Sequence, residues 1–323
     1  MIKKILAWII PKSDLSKNVS TLIAGTGIAQ AITFIFSPVL SRIYLPEEFA
    51  VFALFTSITA IIGVVAAARF ELAIVLPEKD SDAKGLAHTA IKIVVAISLI
   101  SIIGIYIFDL AGGETITPMF SSWFYLIGLS IFCIGCFAIF NYWSTRMKTF
   151  KQNSAARIFM AITTVLVSTI TGYYGLSYKG LILGLISGQA AGAFVLYLNF
   201  ATTSKDISIP DSNEKKALLK EHKDFATINS PHALLDSFQD NGMVFILSYY
   251  YMDAIVGFYS FAYRILKAPV GLIGSAFQQV FYQRLSNAYN QGENIQPHII
   301  SVSYTHLRAH ETKANLVCRL LLE

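Results

Sequence analysis

WFYLIGLSIFCIGCFAIFNY, residues 123–142, lies inside a run from 115 to 145 that holds no charged side chain. Crossing about 30 Å of hydrocarbon at 1.5 Å per residue takes roughly 20 helical residues, so this run is long enough to span a bilayer. Its apolar residues are continuous, whereas the strands of a membrane barrel alternate apolar with polar. Backbone amides in lipid must bond within their own segment, and a run of this kind therefore has to be a helix. Comparable uncharged stretches lie between Lys17 and Arg42 and between Glu48 and Arg69, and again over 93–108, 158–178 and 180–204.

These runs place six helices at 19–41, 48–70, 86–110, 120–141, 156–176 and 180–201. Two more, at 232–251 and 254–281, carry charges inside. The expected fold is an all-α polytopic membrane protein with about eight transmembrane helices. Residues 19–201 form a six-helix lobe, 202–231 a basic cytoplasmic linker with a short charged helix at 214–223, and 232–301 the first two helices of a second lobe. Residues 1–18 read as an interfacial segment with Lys3 and Lys4 on its wet face, since Pro11 interrupts it and no small-residue cleavage site follows.

Composition agrees with this reading. The chain is 54% hydrophobic and 14% charged, against about 25% charged in an average soluble domain. With the N-terminus cytoplasmic, the inside segments before the eighth helix hold fifteen Lys and Arg and the outside loops only Arg42 and Lys179. That asymmetry sets the orientation and accounts for the +5 net charge without nucleic acid. The three cysteines are too scattered for a disulfide framework. Cys133 and Cys136, spelling C-x-x-C in mid-membrane, read as core packing. No phosphate-binding glycine loop or nucleophile motif is present, and the sequence offers no enzyme site, metal site or cofactor site.

A weak internal repeat links YLPEEFAVF at 44–52 with YMDAIVGFY at 251–259, an offset of 207. Each follows a span and opens the next helix, as expected of a transporter built from parallel repeats with its path between the halves. From about residue 302 the composition changes abruptly, and 302–323 reads as an artefactual tail on a C-terminally truncated chain. His306, His310 and Glu311 have helical metal-ligand spacing there but form no complete motif.

The stretches RIYLPEEF at 42–49, RFELAIVLP at 69–77, and GFY at 257–259 with Arg264, Pro269 and FQQVF at 277–281 carry a family likeness. Over about residues 13–300 the chain resembles a polysaccharide-biosynthesis (O-antigen) flippase of the multidrug/oligosaccharidyl-lipid/polysaccharide exporter superfamily. The resemblance implies two six-helix lobes around a cavity that carries an undecaprenyl-pyrophosphate-linked oligosaccharide across the bacterial inner membrane, for lipopolysaccharide or related surface polymers. It implies membrane lipids and other polysaccharide-assembly proteins as partners. A cation-coupled drug exporter of the same superfamily is the main rival, although the first helix lacks the acid such coupling wants. A membrane-embedded polymerase or acyltransferase would want a large outer loop or a His–acid pair at one surface.

A flipped pyrophosphate is doubly anionic, and its transit needs cations at membrane depth. Arg264 and Lys267, three apart in the eighth helix, are the head-group candidates, with Arg69 at the cytoplasmic end of the second. Asp236, Gln239 and Asp240 share a face of the seventh helix and are the expected ion-pair or coupling partners. Gly25, Gly27, Gln30 and Pro38 mark the first helix as a gating helix. Glu71, two residues from Arg69, is expected on another face.

Overall fold

The computed structural model describes residues 14–112 and 122–263, with isolated positions at 265, 266, 282, 285, 286 and 291. The contacts divide the chain into two compact units, Met1–Val280 and Phe281–Glu323, and every element named below belongs to the first. Those elements are helical: α1 Asp14–Ile43, α2 Pro46–Gly63, the short α3 Phe70–Ala73, α4 Asp80–Leu110, a 3-10 turn Ser122–Tyr125 running into α5 Leu126–Arg146, α6 Phe150–Tyr173 and α7 Tyr178–Thr203. After them come α8 Ser212–Glu221, a π-turn Phe225–Asn229, α9 Ser230–Tyr250 and helical residues 253–263. Of the expected interfacial segment 1–18, residues 14–18 instead form the first turn of α1, and the rest of it and the 302–323 tail lie outside the described residues.

Among the described residues, six helices are long and apolar enough to cross a membrane: α1, α2, α4, α5 with its 3-10 turn, α6 and α7. They coincide with the six expected spans to within six residues at each end, except that α2 stops at Gly63 rather than 70. The expected seventh span forms as α9 but is less apolar, because Asp236, Gln239, Asp240 and Asn241 fall in its middle. The expected linker helix forms as α8, which opens with the Asp211 N–H donating to Glu214 Oε2 at 2.8 Å. Large apolar side chains are exposed along the outer faces, among them Ile35 on α1, Ile100 on α4 and Phe194 on α7. A water-facing surface would not hold that much apolar area. This is a multi-pass membrane protein.

Helix packing follows small residues. Gly180, Gly184, Gly188 and Gly192 recur every four positions along α7 and so line one face. A Cβ at Gly184 would overlap Ser168, one at Gly188 would overlap Thr164, and one at Gly192 would come within 2.9 Å of Met160 Cε, all on α6. The α7 backbone thus lies directly against the short side chains and carbonyls of α6, the close approach that lipid favours, where dispersion and not hydrophobic exclusion drives association. Gly25 of α1 abuts Ser154 of α6 in the same way, and the Ser154 hydroxyl donates to Thr21 O at 2.9 Å. Ser130 of α5 donates to Gln189 Oε1 of α7 at 2.7 Å.

Two basic residues counted for orientation also hold the fold. Lys84 Nζ donates to Ser204 O at 2.8 Å and Ile207 O at 2.7 Å, just past the end of α7, where a cation also offsets the helix dipole. Arg146, at the end of α5, bonds Asp80 Oδ1 (2.9 Å) and the carbonyls of Pro77 (2.7 Å) and Ile74 (3.2 Å), fixing the connection into α4. Gly188→Leu is expected to force α6 and α7 apart. Overpacking of this kind costs about 1–3 kcal/mol, and the detergent-solubilised protein should show a lowered thermal midpoint, while Leu185→Met on the same helix should change it little.

Candidate functional site: a central cavity and a buried charge cluster

Three cavities share one residue, Gln30 of α1. The largest, 500 Å³, lies between α1, α2, α7, α9 and residues 253–263. Phe52 and Ser57 of α2 and Leu185 of α7 line it opposite Asp240 and Asn241 of α9 and Tyr259 of 253–263. A second, of 220 Å³, follows α1 past Thr33 and Ser37. The third, of 300 Å³, lies between α1, α6 and α7 and is lined by Gln30, Thr33, Arg157, Thr164 and Gln189. Polar side chains and aromatic faces alternate around this space, a lining suited to sugars and other amphipathic ligands.

The two repeated stretches meet at one end of the cavity. Gly257 lies directly on the Pro46 carbonyl, so that a Cβ there would overlap it. Phe261 stacks at a tilt on Phe49, 5.2 Å between centroids. Tyr44 anchors the first of these turns: it is buried, and its hydroxyl donates to Ser168 O of α6 at 2.6 Å. The Leu45 N–H donates to Glu48 Oε2 at 2.8 Å and opens α2.

The second feature is a charge cluster built by a break in the backbone. α2 ends in tight turns, and Ala68 and Arg69 adopt φ of 48° and 60°. Left-handed conformations at non-glycine residues cost about 1–3 kcal/mol and persist where the surroundings impose them. The break corrects the sequence expectation for Glu71. On a continuous helix Arg69 and Glu71 would diverge, but here Arg69 Nη1 lies 3.6 Å from Glu71 Oε1. Glu71 is only 4% exposed. Tyr142 of α5 lies within electrostatic range of Arg69, Glu71 and Arg157 of α6. Burial pushes the Glu71 carboxyl up from 4.5 to about 7, against the opposing pull of Arg69.

The sequence-derived candidates distribute unevenly over these features. Gln30 and Asp240 share the largest cavity. Gly25 is spent on packing against α6, Gly27 is half-buried, and Pro38 is exposed inside α1. Asp236 meets His232 at 3.0 Å on an exposed face of α9, and Gln239 is exposed beside it. Arg264 and Lys267 lie outside the described residues. Sequence reading missed Arg157 by counting it with a loop, although it falls inside the expected fifth span. A charge within a span is the signal that marks it.

A family profile described as "Polysaccharide biosynthesis protein" matches residues 39–304. The chain belongs to that family. No curated protein matches its sequence. One solved structure, named "protein A", is similar in fold, with a TM-score of 0.56 at 14% identity over 89% of this chain and 68% of that one. For a polysaccharide biosynthesis protein, a polar and aromatic cavity within apolar helices fits a role in handling sugar polymers or their precursors at the membrane.

Glu71 predicts a pH dependence with a definite sign. Its proton is held more tightly in the fold, at about 7, than at the ordinary 4.5. The stabilisation this gives is complete below about 4.5 and is lost as pH rises through about 7. The thermal midpoint of the solubilised protein should therefore fall between pH 5.5 and 8, and Glu71→Gln should flatten that fall.

Proposed function

We propose that the protein carries a lipid-linked oligosaccharide of the undecaprenyl-pyrophosphate type from the cytoplasmic to the outer leaflet of a bacterial inner membrane, as a transporter and not an enzyme. The observation that carries this reading is the convergence of three cavities on Gln30, with Arg157 on the wall of one of them. A diphosphate bare in hydrocarbon is prohibitively costly, and a guanidinium at depth offsets that cost with bidentate bonds. The amides of Gln30, Gln189 and Asn241 and the hydroxyls of Thr33 and Thr164 match the donors and acceptors of a sugar. The lipid tail needs no cavity, since it stays in the bilayer beside the helices.

In this reading the Pro46–Gly257 contact closes the outer end, where the exposed aromatics Tyr173, Tyr174 and Tyr249–Tyr251 also gather. The basic ends at Lys84, Arg146 and α8 face the cytoplasm with the N-terminus. Arg264 and Lys267, which come next in the sequence after Tyr263, are the proposed second cationic group for the diphosphate. Arg69 receives it at the cytoplasmic end. The protein works beside other polysaccharide-assembly proteins that load the lipid and polymerise the sugar.

A cation-coupled exporter of the same superfamily is the second reading, favoured by Asp240 on the wall of the largest cavity. Complementation of a flippase-null strain separates the two. Arg157→Ala is expected to lower surface polysaccharide at least tenfold at unchanged membrane levels of the protein, with Arg157→Lys retaining more. Full polysaccharide from Arg157→Ala, together with dye efflux that Asp240→Asn abolishes, would instead favour the exporter.

A further inference from the structure

Glu71 is a poorly held carboxylate. Among the described residues its one ion pair is the 3.6 Å approach to Arg69, beyond hydrogen-bond length. Its other oxygen, Oε2, is buried and has no hydrogen-bond partner among the described residues, and the same is true of Arg69 Nε and Arg157 Nε. A buried charge paired this loosely recovers little of its lost hydration. Yet the chain adopts two left-handed residues, Ala68 and Arg69, to bring this pair together. The Arg69 side chain keeps 26% of its surface exposed while that of Glu71 keeps 6%. The cation therefore remains reachable from outside and the anion does not.

Besides burial and Arg69, a hydrogen bond from its own backbone N–H acts on Glu71 and favours the charged form. On its own turn the charged neighbour is Arg69, and on α5 it is Tyr142, which also senses Arg157 of α6. α4 packs against α3 as well, but its nearby charges are engaged elsewhere. Asp80 pairs with Arg146, Asp82 accepts from Ser81, Lys84 serves Ser204 and Ile207, and His88 Nδ1 meets the Lys84 carbonyl at 2.9 Å. The π-turn Phe225–Asn229, also in contact, has no titratable side chain.

We propose that Glu71 is an internal stand-in for phosphate: it neutralises Arg69 while the site is empty, and it takes up one proton when a phosphate oxyanion from outside the chain replaces it on Arg69. The exchange balances. The Arg69–carboxylate contact breaks, an Arg69–phosphate contact forms, and a proton from solvent leaves Glu71 as a neutral acid. The neutral acid costs far less to bury than the orphaned carboxylate, and burial already brings Glu71 to the edge of that protonation near pH 7. Arriving phosphate thus draws a proton into the first lobe. The identification of the oxyanion as the diphosphate of a carried lipid rests on the transport reading; the exchange itself does not.

The test uses the full chain in a neutral maltoside detergent, titrated with dimethyl diphosphate. That diester stays doubly ionised across the range, so each proton counted belongs to the protein. Calorimetry in two buffers of different ionisation enthalpy is expected to show binding with uptake of about half a proton at pH 7, and affinity falling about tenfold per unit of pH above that. Glu71→Gln should keep binding, lose the proton uptake and flatten the pH slope; Arg69→Gln should lose binding. Should Glu71→Gln fail to fold, the wild-type pH slope and proton count decide alone. Binding without proton uptake, unchanged uptake in Arg69→Gln, or no binding at millimolar diester each overturns the proposal. A parallel titration in nanodiscs separates the sources. If phosphatidylglycerol, and not phosphatidylcholine, blocks the diester, the oxyanion is a bilayer lipid head group; if neither blocks it, it is a diphosphate. Proton-linked binding together with failed complementation would overturn transport and leave the exchange standing.

Discussion

The seam between α6 and α7 positions everything else in the six-helix body. Glycines at 180, 184, 188 and 192 bring the α7 backbone onto the hydroxyls and carbonyls of α6, and other helices then attach to one or the other. α1 docks on α6 at Gly25 and Ser154, α5 docks on α7 at Ser130 and Gln189, and Tyr44 reaches Ser168 to fix the turn into α2. In a bilayer no hydrophobic force drives helices together, so association depends on how closely surfaces fit. A single side chain added in the seam would move Thr164 and Gln189, and with them the wall that Gln30 and Arg157 face.

The cavity exists because the helices around it are held at a distance by bulky residues where the seam holds them close by small ones. Phe49, Phe52 and Phe261 prop α2 and residues 253–263 against one another near the Pro46–Gly257 contact. Asp240 and Asn241 of α9 line the same space. The middle of α9 is polar for that reason, and the same residues make it the least membrane-like of the long helices by composition.

Charge is used in two ways in this molecule. Arg146 and Lys84 are saturated with carbonyl oxygens and act as fasteners between helix ends. Among the described residues, Arg69 Nε, Glu71 Oε2 and Arg157 Nε are left without a hydrogen-bond partner, which is expensive unless something else completes it. A fold that fully satisfies some cations and leaves others wanting separates structure from binding within one residue type.

The sequence by itself determined the membrane class, the existence and order of the six spans, a short charged helix in the linker, and the helical course of α9. These depend on length and on the absence of charge, both local properties that any helix in lipid must satisfy. It also named Gln30, as part of a gating helix, and Asp240, as one of a polar face on the seventh helix, both of which line the largest of the three cavities. The tertiary structure alone decided that Arg69 and Glu71 face each other, because a two-residue left-handed break overrides helical spacing. It alone placed Arg157 on a cavity wall, gave the four glycines their partner on α6, and distinguished fastening cations from unsatisfied ones. Each of these is a relation between segments far apart in the chain, and no periodicity within one segment records what the other will present to it.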